Sequence, residues 1–360
     1  MKRASVVLFG VLLLFSPRLN AQCGYPTMDN LDDMLMIYAN LSDSTGAADA
    51  EHDIEMLMSG YLNPFMWIIS HTSTNNWYNT AETHELMGFD VNIGVSLVWT
   101  PSKFNEFLVN DTTLKRVNVT FPKKLDSAYL ISSVPTVMGD MFTTPNFQTK
   151  DNRYSYNGLP GTSLKRRFGF GAIPMPVVQG GVGMPQNTDL KFKFTPPLTY
   201  GNGTVLLYMA GIGAMHNLSQ YFGSIGDLDE LMVSGFAGYT NFFMRTRLSD
   251  KNLIPSQKGK FNFHSVTAQL VASNPISVVT IYGGIGITYT NMRFRILGEY
   301  NTDFDITTFE LKDPVDFRDH LFFPKGTLGA RAGFGAITIN ADYSYQRFHA
   351  LNMGLGFTFN

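Results

Sequence analysis

The chain has 360 residues, 44% of them hydrophobic and 13% aromatic, with 27 basic residues against 29 acidic ones. This near balance of charge excludes a nucleic-acid-binding role that depends on a strongly basic surface. The single cysteine excludes an internal disulfide, so packing or a closed hydrogen-bonded sheet must hold the folded chain together.

The first residues have the pattern of a secretory signal peptide. Two basic residues precede an uncharged run from Ser5 to Phe15, and the small residue Ala21 ends the segment. The run is shorter than the ~20 apolar residues that a membrane-spanning helix needs. We therefore expect residues 1–21 to be removed on export. Cys23 is not predicted to carry lipid, because Gln22 precedes it where a lipoprotein signal has a small residue.

Residues 22–85 are predicted to form a helical plug. Apolar residues recur at helical spacing in a first stretch, from Leu31 to Leu41, and in a second stretch, from Ile54 to Tyr61. Pro64 is expected to end the second helix, because proline lacks the amide hydrogen that a helix needs. Two short amphipathic helices ahead of a barrel bury their apolar faces most readily inside its mouth. A small periplasmic cap is the alternative.

From residue 86 onward, apolar residues alternate with small or polar ones. The pattern is clear from Met87 to Trp99, and it recurs in three successive segments between Thr327 and Phe359. Other candidate strands are Thr204–Met215, Gly235–Arg247, Lys260–Ala272, Ser277–Thr290, Asn291–Tyr300 and Phe304–Leu311, with shorter ones near Leu108, Leu130, Phe168 and Phe192. No stretch after the signal peptide has enough consecutive apolar residues for a membrane-spanning helix.

These patterns predict an all-β fold, a transmembrane antiparallel β-barrel of about 14 strands (12–14) over residues 86–360. A soluble sandwich also alternates. However, strands of about 9–13 residues match a tilted bilayer crossing better than the usual globular strand of about 5–6. Aromatic residues such as Trp99 and Tyr345 lie at strand ends, as an interfacial belt requires. The last strand ends in Phe359 and resembles the signal that barrel-assembly machinery reads.

Three stretches are expected to be long external loops, namely Asn110 to Lys124, Asp140 to Arg166 and Asp313 to Lys325. The apolar stretch from Phe168 to Pro185 is unusual, because prolines and glycines interrupt it. The interrupting residues include Pro174, Pro176, Gly180, Gly181 and Gly183. Since proline cannot donate to a strand ladder, the stretch is expected to be a bulge, a kinked strand beside a gap in the barrel wall, or an exposed loop.

Two segments carry a resemblance to known proteins. NNWYNTAETHELMGFDV, from Asn75 to Val91, and GIGAMHNLSQYF, from Gly211 to Phe222, resemble a family of uncharacterised outer-membrane barrel proteins of Gram-negative bacteria. The likeness covers most of the mature chain. More distantly, helices before a barrel, an early strand broken by proline and glycine, and about 14 strands are similar to the long-chain fatty acid transporter family.

The second resemblance implies a protein of the cell outer membrane that takes up hydrophobic small molecules passively through a plugged barrel. The end of the plug supplies apolar and polar groups suited to such a ligand: Tyr61, Leu62, Phe65, Met66 and Trp67. Packing of the plug against the wall is the alternative for each. A second set either holds a ligand head group or orders a turn: His216, Asn217, Gln220 and Tyr221. No basic residue is identified as a carboxylate partner, so the ligand class stays open.

The same residues also bear on functions other than uptake. A scaffold that binds a secretion or surface assembly without transport is the alternative to uptake. Catalysis is not expected, because the seven histidines are scattered and none fits a nucleophile elbow or metal-ligand spacing. No metal and no cofactor are predicted. Expected partners are outer-membrane lipid, a hydrophobic small molecule and barrel-assembly machinery, but not nucleic acid. The pairs Arg293 with Arg295 and Lys191 with Lys193 each share a face, in the lumen or at a rim near anionic head groups.

Overall fold

The computed structural model describes residue 34 and residues 47–122, 125–126, 130–163, 172–200, 205–222, 231–247, 257–302 and 309–359. The predicted signal peptide, Cys23 and the first predicted helix, apart from its buried residue Met34, lie outside this part of the chain. They therefore stay predictions.

Within the described residues, ten antiparallel strands form a closed barrel. They are β1 (Phe89–Trp99), β7 (Ala172–Met184), β8 (Thr188–Tyr200), β9 (Val205–Asn217), β10 (Met232–Arg247), β11 (Lys258–Ile276), β12 (Val279–Leu297), β15 (Val315–Phe334), β16 (Ile337–Tyr345) and β17 (His349–Phe359). Strand β1 closes the barrel by pairing with β17 on one side and β7 on the other. The predicted antiparallel β-barrel is confirmed.

The long connection between β1 and β7 folds into a cap of short strands. These are β2 (Glu106–Asn110), β3 (Val117–Phe121), β4 (Ile131–Pro135), β5 (Asn146–Thr149) and β6 (Ser155–Asn157). A further hairpin, β13 (Glu299–Thr302) with β14 (Phe309–Lys312), joins β12 to β15. Tight turns join β11 to β12 and β15 to β16 at the opposite end of the barrel. We call the two ends the cap side and the turn side.

The barrel has ten strands in the described part of the chain, rather than the predicted number of about 14. Two strands were expected between residues 277 and 300, but β12 runs through most of this stretch without a break. The segments near Leu108 and Leu130 belong to the cap and not to the wall. The loop predicted from Asp313 to Lys325 is also wrong, because β15 begins at Val315 and pairs with β12 throughout this stretch. The outward residues at its cap-side end, Asp316, Arg318 and His320, are polar, so this stretch has the sequence pattern of a loop.

Helix α1 spans Ala47–Thr74 and passes Pro64 without ending, so the prediction that Pro64 stops the helix is wrong. Leu57 lies before the proline, Met66 and Ile69 lie after it, and all three are buried in one core. Burial of each such side chain contributes about 1.5–3 kcal/mol, and the sum exceeds the ~3 kcal/mol cost of an interior proline. Tertiary packing therefore carries the helix across the proline.

Helix α1 enters the barrel from the cap side. Near its start, Asp53 accepts hydrogen bonds of 2.7 Å from the backbone N–H groups of Lys115 and Arg116 in the cap. At its end, Ser70 donates to the inward-facing Thr290 of β12 at 2.8 Å. Residues 75–88, which we call the strap, then lead to the turn side, where β1 begins. A helical plug ahead of the barrel strands is confirmed over Ala47–Thr74, whereas the predicted bounds of residues 22–85 stay a prediction. No helix in the described part of the chain combines the length and the apolar character of a membrane span.

The barrel wall is taller on one side. Strands β10, β11, β12 and β15 have 16–20 residues, whereas β16, β17 and β1 have 9–11. The inner face of the tall wall packs with α1 and the cap into the largest apolar core, which includes Phe261, Phe263, Met292 and Phe294. The apolar core therefore fills the cap-side half of the lumen.

Candidate functional site

The plug ends on two buried lysines of the barrel wall. A helix leaves its last carbonyl groups without partners inside the helix. Lys193 of β8 donates from Nζ to the carbonyl oxygens of Ser73, at 2.7 Å, and Asn75, and Lys325 of β15 donates to that of Thr74. Both lysines are buried. Because a positive charge is favourable at the carboxyl end of a helix, the two lysines fix the end of the plug.

A network of hydroxyl groups joins the same part of the plug to the wall. Ser73 Oγ lies 2.8 Å from Ser265 Oγ of β11, and Ser265 Oγ lies 2.9 Å from Thr290 Oγ1. Gln346 Nε2 donates to Thr74 Oγ1 at 2.6 Å. Each such bond contributes only about 0.5–1.5 kcal/mol net, since water can solvate the same groups. The plug is thus held at this level by contacts that water can replace.

Below the helix, aromatic side chains of the strap lie against wall glycines. The Trp77 ring is 5.3 Å from that of Phe236. A Cβ atom at Gly238 would lie 3.0 Å from Trp77 Cε2, and one at Gly284 would lie 2.3 Å from Tyr78 Oη. The strap therefore requires a wall without side chains at these two positions.

The strap ends in a buried cluster of ionisable side chains at the turn side, which we call the rim cluster. Asp189 Oδ1 accepts from the backbone N–H of His84 at 2.9 Å, and Asp189 Oδ2 lies 2.8 Å from both His84 Nδ1 and Lys191 Nζ. Lys191 Nζ also lies 3.6 Å from Asp90 Oδ1. Buried charges need such pairing to offset their desolvation. The rim cluster ties the strap to β1 and β8.

The predicted ligand-binding residues of the plug contact protein on several sides. Tyr61, Leu62 and Met66 are buried in the largest core, and Tyr61 Oη donates to the carbonyl oxygen of Pro160 at 2.9 Å. Phe65 packs edge-on against Phe261, with ring centroids 5.8 Å apart. These contacts join the plug to the wall and to the cap. The role of these residues in ligand binding stays a prediction.

Trp67 faces a different group of residues. The Arg347 guanidinium lies 3.7 Å from the centroid of the Trp67 ring, and Phe104 packs edge-on against the same ring at 5.5 Å. Phe348 lies 6.1 Å from it. Trp67 therefore lies beside the β16–β17 connection, and it also packs against the core that contains Tyr61, Leu62 and Met66.

The wall is not paired along its whole height between β7 and β8. Their ladder covers Val178–Met184 of β7, whereas Ala172–Val177 pair with β1 alone among the described residues. On β8, the pairing with β9 is irregular between Thr195 and Leu198. We call this cap-side stretch, where ladder pairing between the two strands is absent, the seam.

The residues expected at a wall kink divide between the seam and the closed wall. Pro174 and Pro176 lie at the seam, where Thr195 Oγ1 donates to the carbonyl oxygen of Pro176 at 2.7 Å. Gly180, Gly181 and Gly183 lie in the paired ladder instead. Gly181 makes room for the rim cluster, since a Cβ there would lie 2.6 Å from Asp90 Oδ1, and Gly183 makes room for the strap, since a Cβ there would lie 1.9 Å from the carbonyl oxygen of Glu85.

The second predicted set gathers at the turn side, away from the plug helix. His216 Nδ1 lies 2.7 Å from Thr188 Oγ1, and His216 Nε2 lies 3.0 Å from Tyr221 Oη. Gln220 Nε2 donates to the carbonyl oxygen of Asn217 at 2.8 Å. These bonds order the connection that follows β9. This is the role expected if the residues order a turn rather than hold a ligand head group.

The lysines that hold the plug were only partly predictable. Lys191 and Lys193 share a face of β8 with Asp189, and all three are buried in the lumen. A charge at every second position of an alternating strand is the signal for such a site. Lys325 was missed because its segment was expected to be a loop. Among the described residues, no group of three or more His, Cys, Asp or Glu side chains is placed to hold a metal ion.

Several solved structures are similar to the barrel. Ail, the attachment invasion locus protein of Yersinia pestis, is 11% identical, with 76% of this chain and 100% of Ail covered and a TM-score of 0.26. The translocator domain of the autotransporter NalP from Neisseria meningitidis is 9% identical, with 86% and 98% covered and a TM-score of 0.31. A mutant of TodX, a monoaromatic hydrocarbon channel, is 7% identical, with 76% and 68% covered and a TM-score of 0.23. Similarity at this level is not evidence of a shared function.

The sequence itself gives a clearer relationship. Comparison with curated proteins found no match. A family model described as a family of unknown function, DUF6588, matches residues 1–359, which is nearly the whole chain. The chain therefore belongs to the DUF6588 family.

Proposed function

We propose that the protein is a barrel of the bacterial outer membrane, that its own plug closes the lumen, and that the seam passes small apolar molecules sideways through the wall. The passage is passive and needs no energy source, cofactor or catalytic group. The seam between β7 and β8 is the observation that carries the proposal.

The outer surface of the barrel supports its placement in a membrane. Outward side chains such as Ile93 of β1, Ile285 of β12 and Leu355 of β17 are apolar and exposed, while inward ones such as Asn92 and Asn340 are polar and buried. A water-soluble protein has the opposite arrangement, and an apolar exterior around a polar lumen is typical of outer-membrane barrels. In that orientation the cap faces the exterior and the tight turns face the periplasm.

The last strand supports assembly by the machinery that inserts outer-membrane barrels. Strand β17 ends at Phe359, and the Phe359 ring stacks on Phe89 of β1 with centroids 4.9 Å apart. The closing pair of strands thus ends in two aromatic residues at the turn side. We expect the assembly machinery to recognise this strand as its partner.

The prolines of the seam make an unpaired edge tolerable inside a membrane. Each backbone N–H group without a partner costs several kcal/mol in hydrocarbon. Pro174 and Pro176 on β7, with Pro196 and Pro197 on β8, carry no N–H group. An edge built from prolines therefore exposes fewer unsatisfied donors than an ordinary strand edge would.

The seam also adjoins the apolar core. Met175 and Val177 lie on the inner face of β7 at the seam, and both belong to the core that contains Leu62 and Met66 of the plug. An apolar molecule that leaves this core sideways reaches lipid without crossing the polar half of the lumen. The cap-side core thus supplies the apolar lining that uptake of a hydrophobic ligand requires.

A disulfide across the seam tests the proposal. Val177→Cys with Thr195→Cys places two thiols on the inner faces of adjacent strands, one position beyond the last paired residues Val178 and Phe194. Val182→Cys with Leu190→Cys lies within the paired ladder and is the matched control. In intact Gram-negative cells that produce the protein, uptake of the dye N-phenyl-1-naphthylamine is expected to fall with the seam disulfide and to recover on reduction. Unchanged uptake in the oxidised seam variant contradicts the proposal.

A second candidate function is a non-transporting scaffold that binds another protein at the cap. Leu108, Phe121 and Phe142 of the cap are 67%, 50% and 77% exposed. Apolar side chains exposed in this way mark interaction sites. A protein partner that copurifies in fixed ratio, and that Leu108→Ser with Phe142→Ser releases, would favour the scaffold if dye uptake stayed at background.

A further inference from the structure

Cationic side chains cluster on the outer face of the tall wall, at its cap-side end. They are Arg245 and Arg247 of β10, Lys258 and Lys260 of β11, Arg293 and Arg295 of β12, and Arg318 of β15. Over the outward positions of residues 241–247, 258–264, 291–297 and 316–320 the only carboxylate is Asp316. Seven positive charges and one negative charge give these positions a net charge of +6, and the carboxylate of Asp313, just before β15, lies close enough to interact with Lys260.

The strand register places these cations in rows across the wall. Arg245 lies opposite Lys260, and Lys260 lies opposite Arg295. Side chains in such positions have Cβ atoms about 4.5–5.5 Å apart, and like charges at this separation destabilise a sheet. Asp316 lies opposite Arg295 at the end of this row, but it is bound by Arg293, whose Nε donates to Asp316 Oδ1 at 2.7 Å. The row of three cations therefore gains stability from an anion supplied from outside.

From the cations toward the turn side, the outward residues change from charged to polar and aromatic. The next row toward the turn side contains His264 and His320, and the one after it contains Tyr239 and Tyr289. The two tyrosine hydroxyls lie 2.6 and 2.8 Å from the Nδ1 atoms of these histidines. Tyrosines with their rings against lipid and their hydroxyls toward water mark the membrane interface. Arg245 lies six residues beyond Tyr239, about 15 Å higher on a tilted strand, at the level of lipid head groups.

A broad, shallow apolar depression of the outer face, which we call the groove, follows directly below the tyrosine row. Its volume is about 1030 Å³, and Ala237, Ala268, Leu270, Ile285 and Ile287 contribute to its lining. Ala237 and Ala268 lie opposite each other, and their small side chains leave space on the outer face at this point. The same four strands thus carry, from the cap side downward, an anion-binding surface, a polar and aromatic interface and an apolar groove.

We infer that this face binds a phosphorylated, acylated glycolipid of the outer leaflet, with phosphates on the cation rows and an acyl chain in the groove. The order of charge, aromatic ring and apolar groove along the strands matches the order of groups in such a lipid. Charge complementarity selects a lipid with several phosphates over a zwitterionic phospholipid. The inference rests on the proposed membrane location, but it does not depend on passage through the seam.

The test uses the full-length mature protein in nanodiscs of phosphatidylcholine with added bis-phosphorylated lipid A. Retained lipid A is counted by native mass spectrometry, and dephosphorylated lipid A and inorganic phosphate serve as comparison ligands. The test variant combines Arg245→Gln, Lys260→Gln and Arg295→Gln. The matched control combines Lys103→Gln, Lys115→Gln and Arg153→Gln, which removes three exposed charges of the cap. A third variant, Arg245→Lys with Arg295→Lys, keeps the charge.

We expect the test variant to lose affinity for lipid A by about 100-fold, as removal of three charges near an anionic surface predicts, while the control and the lysine variant bind normally. Equal retention of phosphorylated and dephosphorylated lipid A, or normal binding by the test variant, would overturn the inference alone. Binding of inorganic phosphate with no preference for lipid A would also overturn it. A protein that does not insert into nanodiscs at all would overturn the membrane location and the inference with it.

Discussion

Replacing Lys193 with methionine tests whether the wall lysines hold the plug. Lys193→Met keeps the length of the side chain but removes its ammonium group. The change deletes the hydrogen bonds from Nζ to the carbonyl oxygens of Ser73 and Asn75, and the contact of Nζ with the Trp77 ring at 4.7 Å. The bond from Lys325 to Thr74 remains, so the helix end loses part of its support but not all of it.

The size of the effect follows from the buried groups involved. A hydrogen bond to a charged group contributes about 1.5–3 kcal/mol net, and each buried carbonyl left without a partner costs about 1–3 kcal/mol. Relief of the desolvation of the ammonium group of Lys193 offsets part of this loss. We expect the seated plug to be destabilised by about 2 kcal/mol relative to a displaced plug, which raises the displaced population about 30-fold.

The assay is ion conductance in planar bilayers, where a seated plug keeps the wild-type barrel closed. Openings of the Lys193→Met barrel are expected to be about 30-fold more frequent. Lys150→Met is the control, because Lys150 Nζ also donates to two backbone carbonyls, at 2.7 and 3.4 Å, but lies in the cap. If a folded Lys193→Met barrel has wild-type conductance, Lys193 does not hold the plug. The same conclusion follows if the Lys150→Met barrel opens as often as the Lys193→Met barrel.

Three further predictions concern the same structure. Asp189→Asn should destabilise the rim cluster by about 3–5 kcal/mol, because it removes one partner of a buried ion pair, and limited proteolysis of the strap measures this. Gly183→Ala should lower stability by about 1–3 kcal/mol, since the new Cβ meets the carbonyl oxygen of Glu85 at 1.9 Å. Gly333→Ala, where a Cβ meets nothing within 4 Å, should leave the heat-induced shift in gel mobility unchanged. Burial raises the pKa of Asp53, although backbone N–H groups of the cap favour its charged form. The folded state therefore binds this proton more tightly than the unfolded state does, and the contribution of Asp53 to cap stability should rise as the pH falls from 7 toward about 4. Thermal melts of wild type and Asp53→Asn at both pH values measure this, and an identical pH dependence in the two proteins contradicts it.

The wall of the barrel was predictable because its sequence pattern is local. Alternation over Met87 to Trp99 and over the last three strands indicates which side chains face outward, and the structure has strands at these places. The plug was predictable for a similar reason, since apolar residues at helical spacing need a surface to cover. In both cases the sequence pattern follows directly from burial.

The remaining features depend on contacts that no local pattern reports. The helix continues past Pro64 because distant wall and cap residues pack on both sides of it. Strand β15 begins at Val315, yet its outward residues are polar where the tall wall rises beyond the apolar band, so they resemble a loop. The seam depends on how β7 and β8 pair, and prolines alone predict either a gap or a loop. For the site, Lys193 was visible as a charge on an alternating strand, but its bonds to the helix end were not.

The proposed function requires that apolar molecules pass through the wall while the lumen stays closed, and a comparison of two uptake rates measures both properties. In intact Gram-negative cells with and without the protein, uptake of N-phenyl-1-naphthylamine is measured beside the periplasmic hydrolysis of a hydrophilic β-lactam. We expect the protein to increase the rate of dye uptake. The rate of β-lactam hydrolysis should be the same in cells with and without the protein. Faster β-lactam hydrolysis would indicate an open pore, and an unchanged rate for both compounds would contradict a transport function.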